Sequence, residues 1–133
     1  MPHTSEVGLR LWGRTWKEFY AAAVRGLLAL YDVRRVPKAA VRRRKIVLKA
    51  ESPEELLVAW LDELNFYITA KRLLPVAQSF QRAGPDAVGA SLRMVPLDAM
   101  RRPLKGEVKA ASYHKLKVER LRGRWCATVI LDV

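Results

Sequence analysis

Cysteine is almost missing from this chain: of 133 residues only Cys126 carries a thiol. No disulfide can form within the chain, and no zinc site can be built from thiolates alone. Histidine is nearly as scarce, with His3 and His114 the two present, and their spacing to Cys126 suggests no nucleophile–base pair. There is no Gly-rich phosphate loop, no Gly-x-Ser-x-Gly and no His-Glu-x-x-His, which removes the usual nucleotide-binding and hydrolase signatures. Long apolar runs are absent too. Leu56 to Leu61 and Ala127 to Leu131 fall far short of the roughly 20 residues of a membrane helix. The start, Pro2-His3-Thr4-Ser5-Glu6, is polar where a secretion signal has a basic end followed by an apolar run. These absences point to a cytoplasmic protein without membrane association, and a lone cysteine fits a reducing compartment.

Acidic residues are in deficit. Thirteen Asp and Glu stand against twenty-five Lys and Arg, a formal net charge of +12. Such a field attracts anions, and nucleic acid is the commonest polyanion that a cytoplasmic protein meets. The expectation is RNA rather than DNA, weighed against the plainer reading of solvated positive faces. Half of the residues are hydrophobic, enough for one domain with its own core over residues 1–133 and against disorder.

Hydrophobic periodicity orders the chain. Val7, Leu9 and Leu11 alternate with Glu6, Gly8, Arg10 and Trp12, the period of a strand, with Glu6 off the core-facing row. Thr15 and Glu18 make a capping box, and Phe19, Ala22, Ala23, Gly26, Leu27 and Leu30 recur at helical spacing, predicting a helix from about Trp16 to Tyr31. Ile46, Leu48 and Ala50 alternate with Lys45, Val47 and Lys49 as a second strand, entered through the densest basic run, Arg42-Arg43-Arg44-Lys45. Ser52, Pro53, Glu54 and Glu55 then announce a second helix with Leu57, Leu61, Leu64 and Ile68 on one stripe. Residues 73–80 and 89–95 read as a hairpin around Gly84-Pro85-Asp86. Met100 to Gly106 reads as a basic loop. Val108, Ala110, Ser112, His114, Leu116 and Val118 form one row of a further strand, and Leu121-Arg122-Gly123-Arg124 is a tight turn. The last strand is apolar on both faces, the mark of a central position, and makes Cys126 a buried, inert thiol. The order gives an α+β fold: two helices packed on one face of a mixed, largely antiparallel sheet, in a two-layer single domain.

His114, on the apolar row, reads as a hydrogen-bonded histidine at the edge of the core, and Lys109 as a solvated lysine. The remaining chemistry lies in the terminal acids, Glu6, Asp132 and the α-carboxylate of Val133. If the end strands pair, three carboxylates converge and repel unless a cation neutralises them. Oxygen-only ligands select calcium or magnesium over zinc or copper. If the strands do not pair, these are ordinary surface acids.

The stretches "HTSEVGLRLWGRTWKEFYAAA", "SPEELLVAWLDELNFYI", "VKAASYHKLKVE" and "RWCATVILDV" together resemble the archease family. In that family a His-Thr-Ala-Asp opening leads into a strand and helix, and a Lys-Ala-x-x-Tyr-His segment precedes a Trp-containing strand ending in Asp plus an aliphatic residue. The resemblance implies an accessory protein, not itself an enzyme, of the GTP-dependent RNA ligase of tRNA splicing and RNA repair. Such a protein promotes ligase guanylylation and repeated turnover. It further implies a divalent cation, calcium in the family, held by Glu6, Asp132 and Val133. His3, Lys109 and His114 match motif positions with supporting or partner-contact roles. Glu6 departs from the family's Asp, and the strong positive charge departs from the acidic character of typical archeases. A second reading is a basic RNA-binding or RNA-chaperone module in which Arg34, Arg35, Arg42, Arg43, Arg44 and Lys45 track phosphates. A metal-dependent hydrolase ranks last.

Overall fold

The structure, a computed structural model, describes residues 5–33, 35, 36, 38–100, 104 and 107–133. β1 (Glu6–Gly13) leads into α1 (Trp16–Leu30), whose N-cap Thr15 accepts through Oγ1 from the Glu18 amide at 3.1 Å. Glu18 reaches back past the cap, accepting from the Arg14 amide at 2.7 Å, one residue before the N-cap amide that a capping box engages. β2 (Arg42–Lys49) is followed by α2 (Pro53–Thr69), where Ser52 Oγ accepts from the Glu55 amide at 3.1 Å and proline opens the first turn. β3 (Leu73–Ala83) begins where the sequence pattern places it and runs three residues further, and β4 (Ala87–Pro96) begins two residues earlier and ends one later, so the hairpin closes more tightly on its turn. β5 (Ala110–Ser112), β6 (Glu119–Leu121) and β7 (Arg124–Asp132) complete the fold.

The architecture is α+β, as expected, but its β layer is divided. β1, β7 and β5 make one sheet in that order, with β6 also on β7, and β2, β4 and β3 make a second. All the described pairings are antiparallel. β7 is central, as a strand apolar on both faces must be. Periodicity tells which face of a strand is buried but not which strand it pairs with, and for that reason the split into two sheets is not written in the alternation. One core draws on both sheets and both helices, with Leu11, Phe19, Tyr20, Leu27, Trp60 and Leu92 among its buried members. Trp60 is fully buried and satisfies its indole by donating to the Tyr20 carbonyl at 3.1 Å.

The row expected to run unbroken from Val108 to Val118 is interrupted. β5 stops at Ser112, and a turn closed by the Leu116 amide on the Tyr113 carbonyl (3.0 Å) carries Lys115 in the left-handed region at φ 53°. His114 therefore lies exposed in that turn rather than at the core edge. A two-residue turn at Arg122 (φ 52°) and Gly123 (φ 75°) joins β6 to β7, and the paired positive angles match the twist of a tight hairpin.

Candidate carboxylate site at the paired end strands

β1 and β7 run antiparallel without a break, from Glu6 opposite Asp132 to Gly13 opposite Trp125. Directly opposed residues project from the same face, with Cβ atoms about 4.5–5.5 Å apart. Val7 opposite Leu131 belongs to the inward row, as do Leu9 opposite Val129 and Leu11 opposite Ala127. Glu6 and Asp132 consequently share the outward face. Two more bonds fix this corner: the Val133 amide donates to the Ser5 carbonyl at 3.0 Å, and the Lys109 amide donates to the Asp132 carbonyl at 2.7 Å. The pairing of Ala110 with Asp132 extends the sheet on the other side. Glu6, Asp132 and Val133 thus meet at one end of β7. Like charges placed opposite one another in a sheet repel, and an all-oxygen donor set is the kind that hard cations take. Among the described residues no group of three or more His, Cys, Asp or Glu side chains is arranged to hold a metal. The site consists of two side-chain carboxylates and whatever oxygens Val133 adds.

The other residues singled out by sequence are placed differently. Lys109 is exposed, its backbone tied to Asp132. His114 follows β5 at the end that pairs with Ile130, away from Asp132, and its amide donates to Ser112 Oγ at 3.1 Å. His3 and Arg34 lie outside the described residues. The basic run is split by the strand period: Arg43 and Lys45 are exposed, whereas Arg44 falls on the row of buried Ile46, is half-buried, and donates through Nη1 to the Arg43 carbonyl at 2.8 Å. Arg42, at the start of the strand, is exposed. Cys126 is half-buried on the outward face of β7, not enclosed in the core. It stands opposite Trp12, in the same row as Asp132.

The structure adds residues that the pattern did not mark. Tyr31 Oη donates to Asn65 Oδ1 at 2.5 Å, Asn65 Nδ2 donates to the Val108 carbonyl at 2.6 Å, and the Val108 amide donates back to Tyr31 Oη at 3.1 Å. This closed ring is buried and joins the end of α1, the middle of α2 and the approach to β5. Burial raises the Tyr31 phenol above its usual range, opposed by the bond from Val108. Asp62 Oδ1 accepts from the Ala111 amide at 3.1 Å; desolvation raises its carboxyl and that bond partly offsets the rise. The available signal was Asn65 itself, an amide within the apolar stripe of Leu61, Leu64 and Ile68.

The fold and the corner at Glu6 and Asp132 define a small α+β protein whose first and last strands zip together beneath a pair of acids. The whole chain, residues 1–133, matches the Archease protein family, and the chain belongs to that family. It is 31% identical over 137 residues to the protein archease of Methanopyrus kandleri, covering 98% of this chain and 95% of that one. It is 32% identical over 141 residues to the protein archease of Pyrococcus furiosus, covering 98% and 94%. The crystal structure of an archease from Thermotoga maritima superposes with a TM-score of 0.73 at 21% identity, over 100% of this chain and 94% of that one. A solution structure from Methanobacterium thermoautotrophicum gives 0.63 at 23% identity, over 100% and 96%. Both share the fold. No helix among the described residues is long and apolar enough to cross a membrane.

Proposed function

We propose that this archease is an accessory protein of a GTP-dependent RNA ligase, promoting its guanylylation and repeated turnover in tRNA splicing or RNA repair, with no turnover of its own. The observation that carries the reading is Glu6 standing opposite Asp132 with Val133 bonded alongside. Glu6, Asp132 and Val133 would hold a divalent cation, and when bound it would supply a compact positive charge suited to phosphate oxygens. The extra methylene of Glu6, relative to aspartate, carries its carboxylate outward by about one bond, ~1.5 Å. Calcium, with its flexible geometry, accepts that displacement better than magnesium. The residues of the chain do the positioning. The β1–β7 register opposes the two carboxylates, and Lys109, tied by its amide to Asp132, brings a cationic side chain to the same end of β7 for contact with the ligase.

Single-turnover guanylylation of the RNA ligase from the same organism tests the reading. Faster formation of the ligase–guanylate adduct in the presence of the protein supports it, with the increase lost on Asp132→Asn. Equal rates with and without the protein overturn it.

A further inference from the structure

The outward face of the β1–β7 sheet sets Glu6 and Asp132 against each other at one end and is dominated by cations further along. Four residues along β1 from Glu6, the same face carries Arg10, then Trp12, opposite Thr128 and Cys126. There the surface hollows into a cleft of about 590 Å³ between β1, β7, β6 and the turn after β5. Its cations are Arg10, Lys115, Lys117 and Arg124, against one acid, Glu119, which Lys117 already pairs at 3.2 Å. Two apolar side chains stand in this basic surround, Trp12 at 53% exposure and Leu121 at 51%. The other three tryptophans are engaged: Trp60 is buried, and Trp16 and Trp125 stack on each other at 4.1 Å. No ring or cation contact among the described residues holds Trp12. An indole left half in water costs hydrophobic free energy, and a lysine at positive φ is strained where glycine would not be. Lys115 adopts that conformation at the edge of the cleft.

We infer that this cleft binds a single-stranded RNA segment, with a base stacked on Trp12 and the phosphates held by Arg10, Lys115 and Arg124. A cleft of roughly 300–1,000 Å³ takes a ligand the size of a nucleotide. A cationic groove with an exposed aromatic platform is the arrangement that binds single strands without reading sequence. The charge balance favours a polyanion, and the indole favours one that offers flat rings over an acidic peptide, which offers none. The inference goes beyond ligase activation and relies on that reading only for choosing RNA over DNA. Its consequence is that one sheet face would carry an RNA strand at one end and the carboxylate corner at the other.

The test is fluorescence anisotropy of a short labelled oligouridylate titrated with the full chain, in the absence of ligase. Trp12→Ala is expected to weaken binding about tenfold, and Trp12→Phe, which keeps a stacking ring, to restore most of it. Lys115→Gln with Arg124→Gln should make the slope of log affinity against log salt shallower by about 1.4, from ~0.7 per phosphate contact. Arg43→Gln with Lys45→Gln, on the other sheet, should change affinity less than twofold. Unchanged binding by Trp12→Ala, equal competition by polyglutamate, or a loss confined to the Arg43 and Lys45 variant would each overturn the assignment. Binding that survives alongside a failed guanylylation assay would sink the ligase reading and leave the cleft standing.

Discussion

Asn65 grips the backbone of Val108: its side-chain amide donates to the Val108 carbonyl at 2.6 Å while its own oxygen accepts from Tyr31. This fixes the carboxylate corner from below, because the next residue, Lys109, donates its amide to Asp132. Removing the amide strands a buried hydroxyl and a buried carbonyl, each costing about 1–3 kcal/mol. Asn65→Ala should therefore lower stability by roughly 2–4 kcal/mol, read as a reduced denaturant midpoint at unchanged m-value. A loss below about 0.5 kcal/mol would mean that the ring does not bear on stability.

Alkaline pH should loosen the fold once it passes the ordinary tyrosine range. Tyr20, fully buried and donating to the Gly84 carbonyl at 2.7 Å, has its phenol raised by burial and by the charge of Asp86, and Tyr31 is raised by burial. The native state keeps these protons to higher pH than the unfolded chain. Their contribution is fully present below the unfolded value of about 10 and is lost as pH rises from there toward the folded values. Between pH 9 and 11.5 the stability of Tyr20→Phe should fall less steeply than that of the parent, as measured by urea denaturation across the range. Parallel slopes would contradict the assignment.

Cation binding at Glu6, Asp132 and Val133 should be visible without any ligase. Calcium at about 100 times its Kd stabilises a one-site protein by about 2.7 kcal/mol, several degrees in Tm. Asp132→Asn should abolish the shift, and so should Glu6→Gln, which removes the opposing carboxylate. Glu6→Asp should shift the calcium dependence to lower concentration. A Tm rise that persists in both disrupted forms would place the cation elsewhere.

Gly13, at the end of β1, has no room for a side chain. A Cβ built there would lie 2.4 Å from the Phe19 amide nitrogen and 2.7 Å from the Glu18 carbonyl carbon, backbone atoms of the first turn of α1. Gly13→Ala must push strand and helix apart and should cost about 1–3 kcal/mol. The equivalent change at Gly8, whose nearest neighbour would be Thr128 Cγ2 at 3.6 Å, should fold with near-parent stability. Thermal melts of the two variants side by side check the contrast.

The elements that sequence resolved are those governed by local rules. The Thr15 and Ser52 caps, the stripe of α2 and the central place of β7 each follow from a short window of residues. The strand expected through His114 failed because alternation persists through a turn: Ser112, His114 and Leu116 keep the period, while the backbone bends at Lys115. The basic run from Arg42 reads in sequence as one patch, yet a strand deals successive residues to opposite faces, so Arg44 parts from Arg43 and Lys45. The carboxylate corner lay at the limit of legibility. Glu6 and Asp132 are 126 positions apart, and no local pattern states that β1 and β7 are partners. The buried ring of Tyr31, Asn65 and Val108 spans three distant segments in the same way, and only the oddity of an amide in an apolar stripe hinted at it.

The closing of β7 against β1, β5 and β6 also sets an order of events during synthesis. Every strand of that sheet is paired through β7, so a ribosome-bound chain from which β7 has not yet emerged can build the β2–β4–β3 layer but not the other. Until Arg124–Asp132 has been made, β1, β5 and β6 have no strand partner among the described residues, and half of the β layer waits on the last strand described.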